Sequence, residues 1–576
     1  MKKIVFPSEL SIFQNRIPNE YLVKFEAKFV DNRKSGQIPS MDEWFNLVKS
    51  VITEEKEIPL EIWALCSKIA WITADVSFFI EHIDLIEKFR QTPLNLGYFA
   101  LGIVEFIDFT RGFKLLKEAF LLADSLKDWE ALLDLATPYT LILNNSHNKN
   151  MIKDVLIKVK NVHREKFDSD PKFNHLIAII NIFAHDEKGK LQNEDDLKEA
   201  HKIIKDSNHH LYTALALAYL TSFYKDEKGD KYRKEIFKEL ELINARMRLI
   251  IALSNAAYHY VSKGDCSGAS NHSAKALEVA KGITKAKDYG YGIYIYPLFQ
   301  KAWLLVEFGQ MEEAQEILQT ANRYADLFKS PHYQAEVKLG LAYVFFLQNN
   351  LPNAFKHAKE SINIVQSMDN PYVQNHYYLE YIDLLIDLKE LEDIPEILEK
   401  IDIKELKGCA NSQYNYIVGK YELSRYNVGM AKKYLEDALN NHDDCEKLIA
   451  NISFTMAESL IHEYRISEDS SLLKKAQETI TKGLDVVFDK PNRTKGKFLS
   501  AILLCAQKNY DEAEEVLEEL TERSNEIPRY RTMAEKLLDA IRDIRVGNTP
   551  VSPISNVSDV LRYLRDAKTL IELNPR

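Results

Sequence analysis

The chain has 576 residues, of which 46% are hydrophobic and 28% charged, a balance typical of a folded protein rather than a disordered one. Its formal net charge of −11 disfavours general nucleic-acid binding, which needs a basic surface to neutralise phosphates. Glycine (19 residues) and proline (17 residues) are scarce for this length. This scarcity disfavours a turn-rich all-β fold and favours long helices joined by short loops.

The first 244 residues are predicted to form a divergent helical-repeat region. Apolar residues recur there at the spacing of amphipathic helices. The predicted helices cover residues 41–52, 60–73, 76–89, 191–206 and 210–224. A helical hairpin is predicted from residues 98–109 and 113–126.

Residues 245–547 are predicted to repeat one helical hairpin. Each copy has an apolar-periodic helix, a short polar turn such as Lys263-Gly264-Asp265, and a second helix that carries alanine at a fixed place. These alanines recur about every 37–45 residues, with Ile394 marking a further copy. They are Ala269, Ala314, Ala354, Ala431, Ala476 and Ala513. Two helices joined by a short turn pack closely only where a small side chain lies at their crossing point.

The repeated hairpin resembles the tetratricopeptide-repeat (TPR) family over residues 245–528. The resemblance is carried by Gly264-Asp265 with Ala269 and Ala276; Ala302-Trp303 with Gly309, Ala314 and Ala321; Gly419 with Ala431 and Ala438; and residues 509–513. The spacing is longer than the family's repeat of about 34 residues. The resemblance implies an all-α fold, an irregular right-handed α-solenoid of antiparallel helical hairpins with a concave inner groove.

A linker and a last helix are predicted to follow the array. Residues 548–556 contain Pro550 and Pro553 and interrupt the helical pattern. Residues 557–576 are predicted to form a capping helix, since Ser558 can cap its start and the apolar residues after it share one face. The whole chain is thus divided at residues 244, 547 and 556.

The sequence predicts no catalytic residue, no cofactor and no metal site. It has no phosphate-binding loop and no recognisable catalytic motif. The five cysteines lie far apart without a CxxC pair, which indicates a reducing compartment. The apolar run at the N-terminus is interrupted by Pro7 and Glu9, and no apolar stretch is long enough to span a bilayer. We therefore expect a cytoplasmic protein that binds neither membranes nor nucleic acid.

In the TPR-like register, the inward-facing positions of the first helices supply the candidate partner-binding residues. They are Tyr258, Tyr296, Phe299, Trp303, Tyr343, Asp383, Asp387, Tyr416 and Lys420. Aromatic side chains anchor interfaces because they bury a large area at little cost in rotamer entropy. The alternative is that some of these aromatic residues belong to the core of the hairpins, where large rings are equally common.

The lysines and asparagines with which some TPR proteins hold a terminal carboxylate are absent from the corresponding positions. Those positions carry Ser254, Tyr258, Phe299, Trp303, Leu339 and Tyr343. A protein or peptide with exposed apolar or aromatic side chains fits better, with basic residues that could meet Asp383 and Asp387.

The sequence thus predicts a non-catalytic scaffold or adaptor that binds a peptide or a helix in the concave groove. A regulatory sensor is the alternative, in which the C-terminal helix occludes the groove until a ligand or partner displaces it. An enzyme is disfavoured because no catalytic constellation is recognisable.

Overall fold

The structure is a computed structural model that describes most of the chain. The described residues are 6–29, 39–145, 149–167, 174–183, 194–221, 224, 226–263, 265–283, 291–368, 371–403, 406, 409–440, 446–487, 489–523 and 527–545. The predicted linker at 548–556 and the predicted capping helix at 557–576 lie outside the described residues.

The described residues form helices joined by short turns. In chain order the α-helices are α1 (Asn19–Lys28), α2 (Met41–Glu54), α3 (Leu60–Thr73), α4 (Val76–Glu81), α5 (Ile86–Phe89), α6 (Pro93–Gly102), α7 (Phe109–Ser125), α8 (Trp129–Asn145), α9 (Lys149–Val162), α10 (Asn174–Phe183), α11 (Glu194–Asp206), α12 (His210–Leu220), α13 (Glu227–Leu242), α14 (Arg246–Ser262), α15 (Cys266–Ile283), α16 (Tyr291–Glu307), α17 (Met311–Phe328), α18 (Pro331–Leu347), α19 (Leu351–Gln366), α20 (Pro371–Leu388), α21 (Ile394–Lys400), α22 (Cys409–Ser424), α23 (Val428–Asn440), α24 (Glu446–Ser467), α25 (Ser471–Val486), α26 (Lys490–Ala506), α27 (Tyr510–Arg523) and α28 (Pro528–Arg545). Short 3-10 segments cover Ser8–Phe13 and Ile83–Leu85, and π-helical turns cover Ile103–Ile107 and His163–Phe167.

No β-strand occurs among these described residues, and helices that follow one another in the chain pack together, as α22 does with α23 and α24 with α25. The predicted all-α fold of helical hairpins is confirmed. Within the described part of the chain, no helix combines the length and the apolar character that crossing a membrane requires.

The recurring alanines lie where the helices of a hairpin meet. Each of them is completely buried: Ala269, Ala276, Ala314, Ala321, Ala354, Ala358, Ala431, Ala438, Ala476 and Ala513 all have 0% exposure. On α22, Gly419 makes a still closer approach, because an added Cβ would lie 2.9 Å from Leu435 Cγ and 3.2 Å from the carbonyl oxygen of Ala431. The small side chains therefore set the spacing between paired helices, as the sequence predicts.

The two helices of a hairpin are joined by one type of turn, which recurs from hairpin to hairpin. A residue with positive φ follows the first helix, at Gly309 (82°), Asn349 (62°), Lys389 (64°), Tyr426 (64°) and Lys508 (64°). The next N–H then donates to the carbonyl five residues earlier, as in Gln310 to Leu305 at 2.7 Å. Such a turn satisfies carbonyl groups that the end of a helix leaves without a partner.

The same turn occurs in the divergent N-terminal region. Ala74, Lys127 and Asn244 have positive φ, and the residue after each donates to the carbonyl five residues earlier. The hairpin is thus built in the same way in both halves of the chain.

The prediction of one continuous helix over residues 76–89 is wrong, because the structure has three short helical segments there. Helix α4 ends at Glu81, a 3-10 segment follows, and α5 begins at Ile86. The break is at His82, whose φ of −118° lies outside the helical region. Its ring packs edge-to-face against Trp63 and Phe78, at centroid distances of 4.9 and 5.0 Å. The helix is therefore broken at the residue whose imidazole ring packs against Trp63 and Phe78.

The chain forms two compact units. Unit 1 comprises Met1–Tyr260, Cys266–Gln300 and Ala321–Tyr333, and unit 2 comprises Val261–Asp265, Lys301–Thr320 and Gln334–Arg576. The predicted division of the chain at residue 244 stays a prediction.

In unit 1 an N-terminal segment (residues 6–17) packs among helices that lie far along the chain. Leu10 and Phe13 are completely buried. The Glu9 carboxylate accepts a hydrogen bond of 2.8 Å from the backbone N–H of His210, and Arg16 donates two, of 2.8 and 2.6 Å, to Asp128. These contacts join positions up to about 200 residues apart, so unit 1 is held together by more than the stacking of neighbouring hairpins.

Among the described residues of unit 2, helices α26, α27 and α28 share a small apolar core. Phe498 and Cys505 of α26, Leu517 of α27, and Leu537 and Ile541 of α28 share this core. In the first turn of α28, Arg529 contacts Phe346 of α18 and Asp387 of α20.

Candidate functional site

The nine candidate partner-binding residues fall on both units. Tyr258, Tyr296 and Phe299 belong to unit 1, and the other six belong to unit 2. In unit 1 Tyr258 is 57% exposed, whereas Phe299 is buried at 5%. The Tyr296 hydroxyl donates a hydrogen bond to Asn255 from a half-buried position.

In unit 2 the aromatic candidates begin a continuous row of rings. The rings of Trp303 on α16 and Tyr343 on α18 lie 5.6 Å apart, and the ring of Phe346 follows that of Tyr343 at 6.5 Å. Trp303 and Tyr343 are half-buried, while Phe346 is buried. Residues three apart on a helix lie on one face, so α18 presents two of these rings together.

The charged candidates of unit 2 form a network between α20 and α22. Lys420 Nζ lies 2.5 Å from a carboxylate oxygen of Asp383 and 2.8 Å from one of Asp387. The two aspartates are four residues apart on α20, so both face the same neighbouring helix. Lys420 of the chain itself therefore pairs with both carboxylates. The sequence by itself suggests basic residues of a partner for this role.

The aspartates are only partly exposed, with 30% of the side chain open at Asp383 and 34% at Asp387. Burial raises the pKa of Asp383, and the nearby Asp387 carboxylate adds to this effect. At Asp387 burial acts in the same direction, but the charges of Lys420, Lys495 and Arg529 lower its pKa below the ordinary value. Both carboxylates raise the pKa of Lys420 against the opposing effect of burial, so the lysine stays charged.

Tyr416 lies one helical turn before Lys420 on α22 and is 3% exposed. Burial raises the pKa of its hydroxyl, and the charges of Asp383 and Asp387 raise it further. Tyr416 is therefore a neutral core residue beside the ionic network, which agrees with the core alternative for some of the aromatic residues.

Sequence reasoning missed Arg529 and Lys495. Arg529 Cζ lies 3.9 Å above the ring of Phe346, and Nη2 donates to the carbonyl oxygen of Asp387 at 3.4 Å. Lys495, half-buried on α26, interacts electrostatically with Tyr416 and Asp387. Arg529 and Asp387 are 142 residues apart, and no periodic pattern connects them.

Together these residues form one connected cluster of partly exposed and buried side chains in unit 2, which we call the charged-aromatic face. It consists of Trp303, Tyr343, Phe346, Asp383, Asp387, Tyr416, Lys420, Lys495 and Arg529. Glu336 lies two turns before Tyr343 on α18, and burial raises the pKa of its carboxyl to about 7. Among the described residues, no cluster of three or more His, Cys, Asp or Glu side chains could hold a metal ion.

The chain is similar in structure to several solved helical proteins. It matches a chain of the APC/C hetero-tetramer Cut9–Hcn1 with a TM-score of 0.43 and 12% identity, over 93% of this chain and 99% of that one. It matches a Rap protein complexed with competence and sporulation factor with a TM-score of 0.37 and 12% identity, over 59% and 98% of the two chains.

A third similar structure is the TPR2AB domain of yeast Sti1 in complex with pHSP90. The TM-score is 0.18 and the identity 14%, over 55% of this chain and 98% of that one. No protein-family model matches the chain, and no curated protein sequence matches it. The TPR-like architecture is visible in the chain's own hairpins, with their buried alanines and recurring turns.

Proposed function

We propose that the chain is a non-catalytic protein-interaction scaffold and that the charged-aromatic face of unit 2 binds a peptide or a helix of a partner. One observation carries the proposal. The half-buried Trp303–Tyr343 pair belongs to the same connected cluster as the Lys420 network, in which Asp383 and Asp387 both pair with Lys420. A surface whose side chains are already ordered loses little conformational entropy on binding.

The aromatic pair is the expected anchor of this interaction. Tryptophan and tyrosine that keep part of their surface exposed can bury it against a partner, and such residues dominate binding energies. Tyr416 is already buried, so we assign it to the support of this face rather than to direct contact, and Phe299 is buried within unit 1. The proposal therefore distinguishes Trp303 and Tyr343 from the other aromatic candidates.

Replacement of Trp303 tests the proposal. Peptides are first selected from a random library displayed against the full chain, and their affinities are then measured by calorimetry. We expect Trp303→Ala to weaken binding by about 2 kcal/mol, which is roughly 30-fold, because the exposed part of the ring is lost from the interface.

The control is Ile466→Ala, which removes a side chain that is 79% exposed and lies outside the charged-aromatic face, and which should leave binding unchanged. A Trp303→Ala protein that loses its fold, or that folds and binds the peptides with full affinity, would contradict the proposed role of Trp303.

The regulatory alternative depends on residues 548–576, which lie outside the described residues, and it stays a prediction. Deletion of these residues discriminates between the two functions. A gain in peptide affinity would favour a sensor whose C-terminal helix occludes the groove, whereas unchanged affinity with a lower melting temperature would favour a capping helix.

A further inference from the structure

Arg529 is buried without the partners that a guanidinium group requires. Its residue exposure is 6%, and Nη1 is a buried donor with no hydrogen-bond partner among the described residues. The bond from Nη2 to the Asp387 carbonyl is long, at 3.4 Å. Buried polar groups are normally satisfied, and a buried charge is costly unless it is paired.

The nearest carboxylate does not supply this missing partner. Asp387 acts on Arg529 through its charge, but its carboxylate lies 2.8 Å from Lys420, and no ion pair joins Arg529 to a described acidic residue. Burial lowers the pKa of the Arg529 guanidinium, an effect that the charge of Asp387 only partly opposes. Because the ordinary pKa of arginine is so high, the group still remains a cation, and its Nη1 donor lacks a hydrogen-bond acceptor in the described part of the chain.

The chemistry of Arg529 suits an oxyanion. Its guanidinium carbon lies 3.9 Å from the centre of the Phe346 ring, and this cation–π contact helps to hold the group in place. Planar carboxylates bind the N–H donors of a guanidinium group through parallel hydrogen bonds. The rings of Tyr343 and Trp303 continue from Phe346, so a residue bound at Arg529 would be followed by an aromatic surface.

We propose that Arg529 binds a carboxylate of a partner peptide, from an aspartate or glutamate side chain, beside Phe346 on the charged-aromatic face. The inference rests on the proposed function and adds the chemistry of the ligand. A carboxylate is favoured over a phosphate because the single positive charge of Arg529 is balanced by a single negative charge. The aspartates on α20 would repel a doubly charged group.

The test uses the full chain and an array of apolar dodecapeptides that contain Tyr and Leu. One central residue is varied among glutamate, glutamine and phosphoserine. We expect the glutamate peptides to bind the unaltered protein about ten-fold more tightly than their glutamine counterparts, as a charge-assisted pair replaces a neutral contact. This preference should disappear in Arg529→Met, which keeps a long side chain on Phe346 without the charge.

The matched control is Arg531→Met on the same helix, where the side chain is 46% exposed and pairs with Glu535. It should keep the preference for glutamate. Arg529→Met should melt at the same temperature as the unaltered protein or higher, because it removes a buried charge that lacks a full set of partners. A marked fall in its melting temperature would show instead that Arg529 serves the fold, and would overturn the inference.

The remaining outcomes separate the inference from the proposed function. Equal binding of glutamate and glutamine peptides, a preference that survives in Arg529→Met, or a stronger preference for phosphoserine would each overturn the carboxylate site while the scaffold function stands. If no peptide binds, the proposed function fails. The site is then judged by whether N-acetylglutamate, and not N-acetylglutamine, raises the melting temperature of the unaltered protein but not of Arg529→Met. Absence of that shift would overturn the inference.

Discussion

Lys420 changes how its two acidic neighbours, Asp383 and Asp387, are interpreted. In the sequence, Asp383 and Asp387 stand as two acidic residues at inward-facing positions, which suggests a basic partner. In the structure, Lys420 lies within 2.8 Å of both, with only 10% of its side chain exposed. The lysine neutralises repulsion that would otherwise arise between two carboxylates one turn apart.

Replacing Lys420 should destabilise unit 2 in a pH-dependent way. We expect Lys420→Met to lower the free energy of unfolding by about 2 kcal/mol at neutral pH, less than for a fully buried pair because both carboxylates keep about a third of their surface exposed. Without the lysine, both carboxyls should have raised pKa values in the folded state. The loss should therefore shrink as the pH falls and one carboxyl becomes protonated.

Denaturant unfolding at several pH values measures this loss. The matched control is Lys497→Met, which removes the lysine of an exposed pair with Glu519 and should change stability by less than about 0.5 kcal/mol. The double variant Asp383→Asn, Lys420→Met should recover part of the loss. An effect of Lys420→Met that is independent of pH would show that packing, rather than charge, explains it.

At the scale of the helical element, buried alanines and tight turns define the hairpin. Ala431 and Ala438 of α23 are completely buried where this helix meets α22. The turn between the two helices contains Tyr426, which has a φ of 64°. An alanine at the crossing allows the two backbones to approach, whereas the turn fixes where the second helix begins. Together these two features explain why hairpins of different sequence share one structure.

Enlarging one of these alanines should separate the paired helices. We expect Ala438→Leu to cost about 1–3 kcal/mol of stability, because three additional carbon atoms must be accommodated in a contact that has no free space. Glu436→Leu introduces the same side chain at an exposed position of α23 and serves as the control. Denaturant unfolding compares the two variants, and an equal, small effect would contradict the close crossing.

At the scale of the whole molecule, each unit contains contacts between residues that lie far apart in the sequence. In unit 1 the N-terminal segment is bound to residues about 200 positions away, at Asn208 and His210. In unit 2 the return of α28 brings Arg529 to Phe346 and Asp387. Both are contacts of high sequence separation, which cost more loop-closure entropy than the stacking of adjacent hairpins.

A change in the N-terminal segment should therefore affect unit 1 alone. We expect Phe13→Ala to destabilise unit 1 by about 3–5 kcal/mol, because it leaves a cavity where a completely buried ring packs. Hydrogen exchange followed by mass spectrometry should show faster exchange in α3 and α8 and no change in α22 and α23.

Leu121→Ala, at a position of unit 1 that is 53% exposed, should change neither region. Faster exchange throughout both units in Phe13→Ala would show that they unfold together, against the expectation.

The amino-acid sequence by itself determined the helices, the hairpins and the residues that share a face. Helix periodicity and the recurrence of small side chains concern residues three, four or about forty positions apart, and such regularities are visible in the order of residues alone. They correctly predicted that Ala269, Ala314 and Ala513 would be buried. Only the tertiary structure decided which side chains meet across long stretches of chain. Arg529 stacks on Phe346, Glu9 binds His210, and Lys420 takes the place of a partner's charge. Contacts of this kind depend on how the successive small rotations between hairpins add up, and no local pattern records that sum.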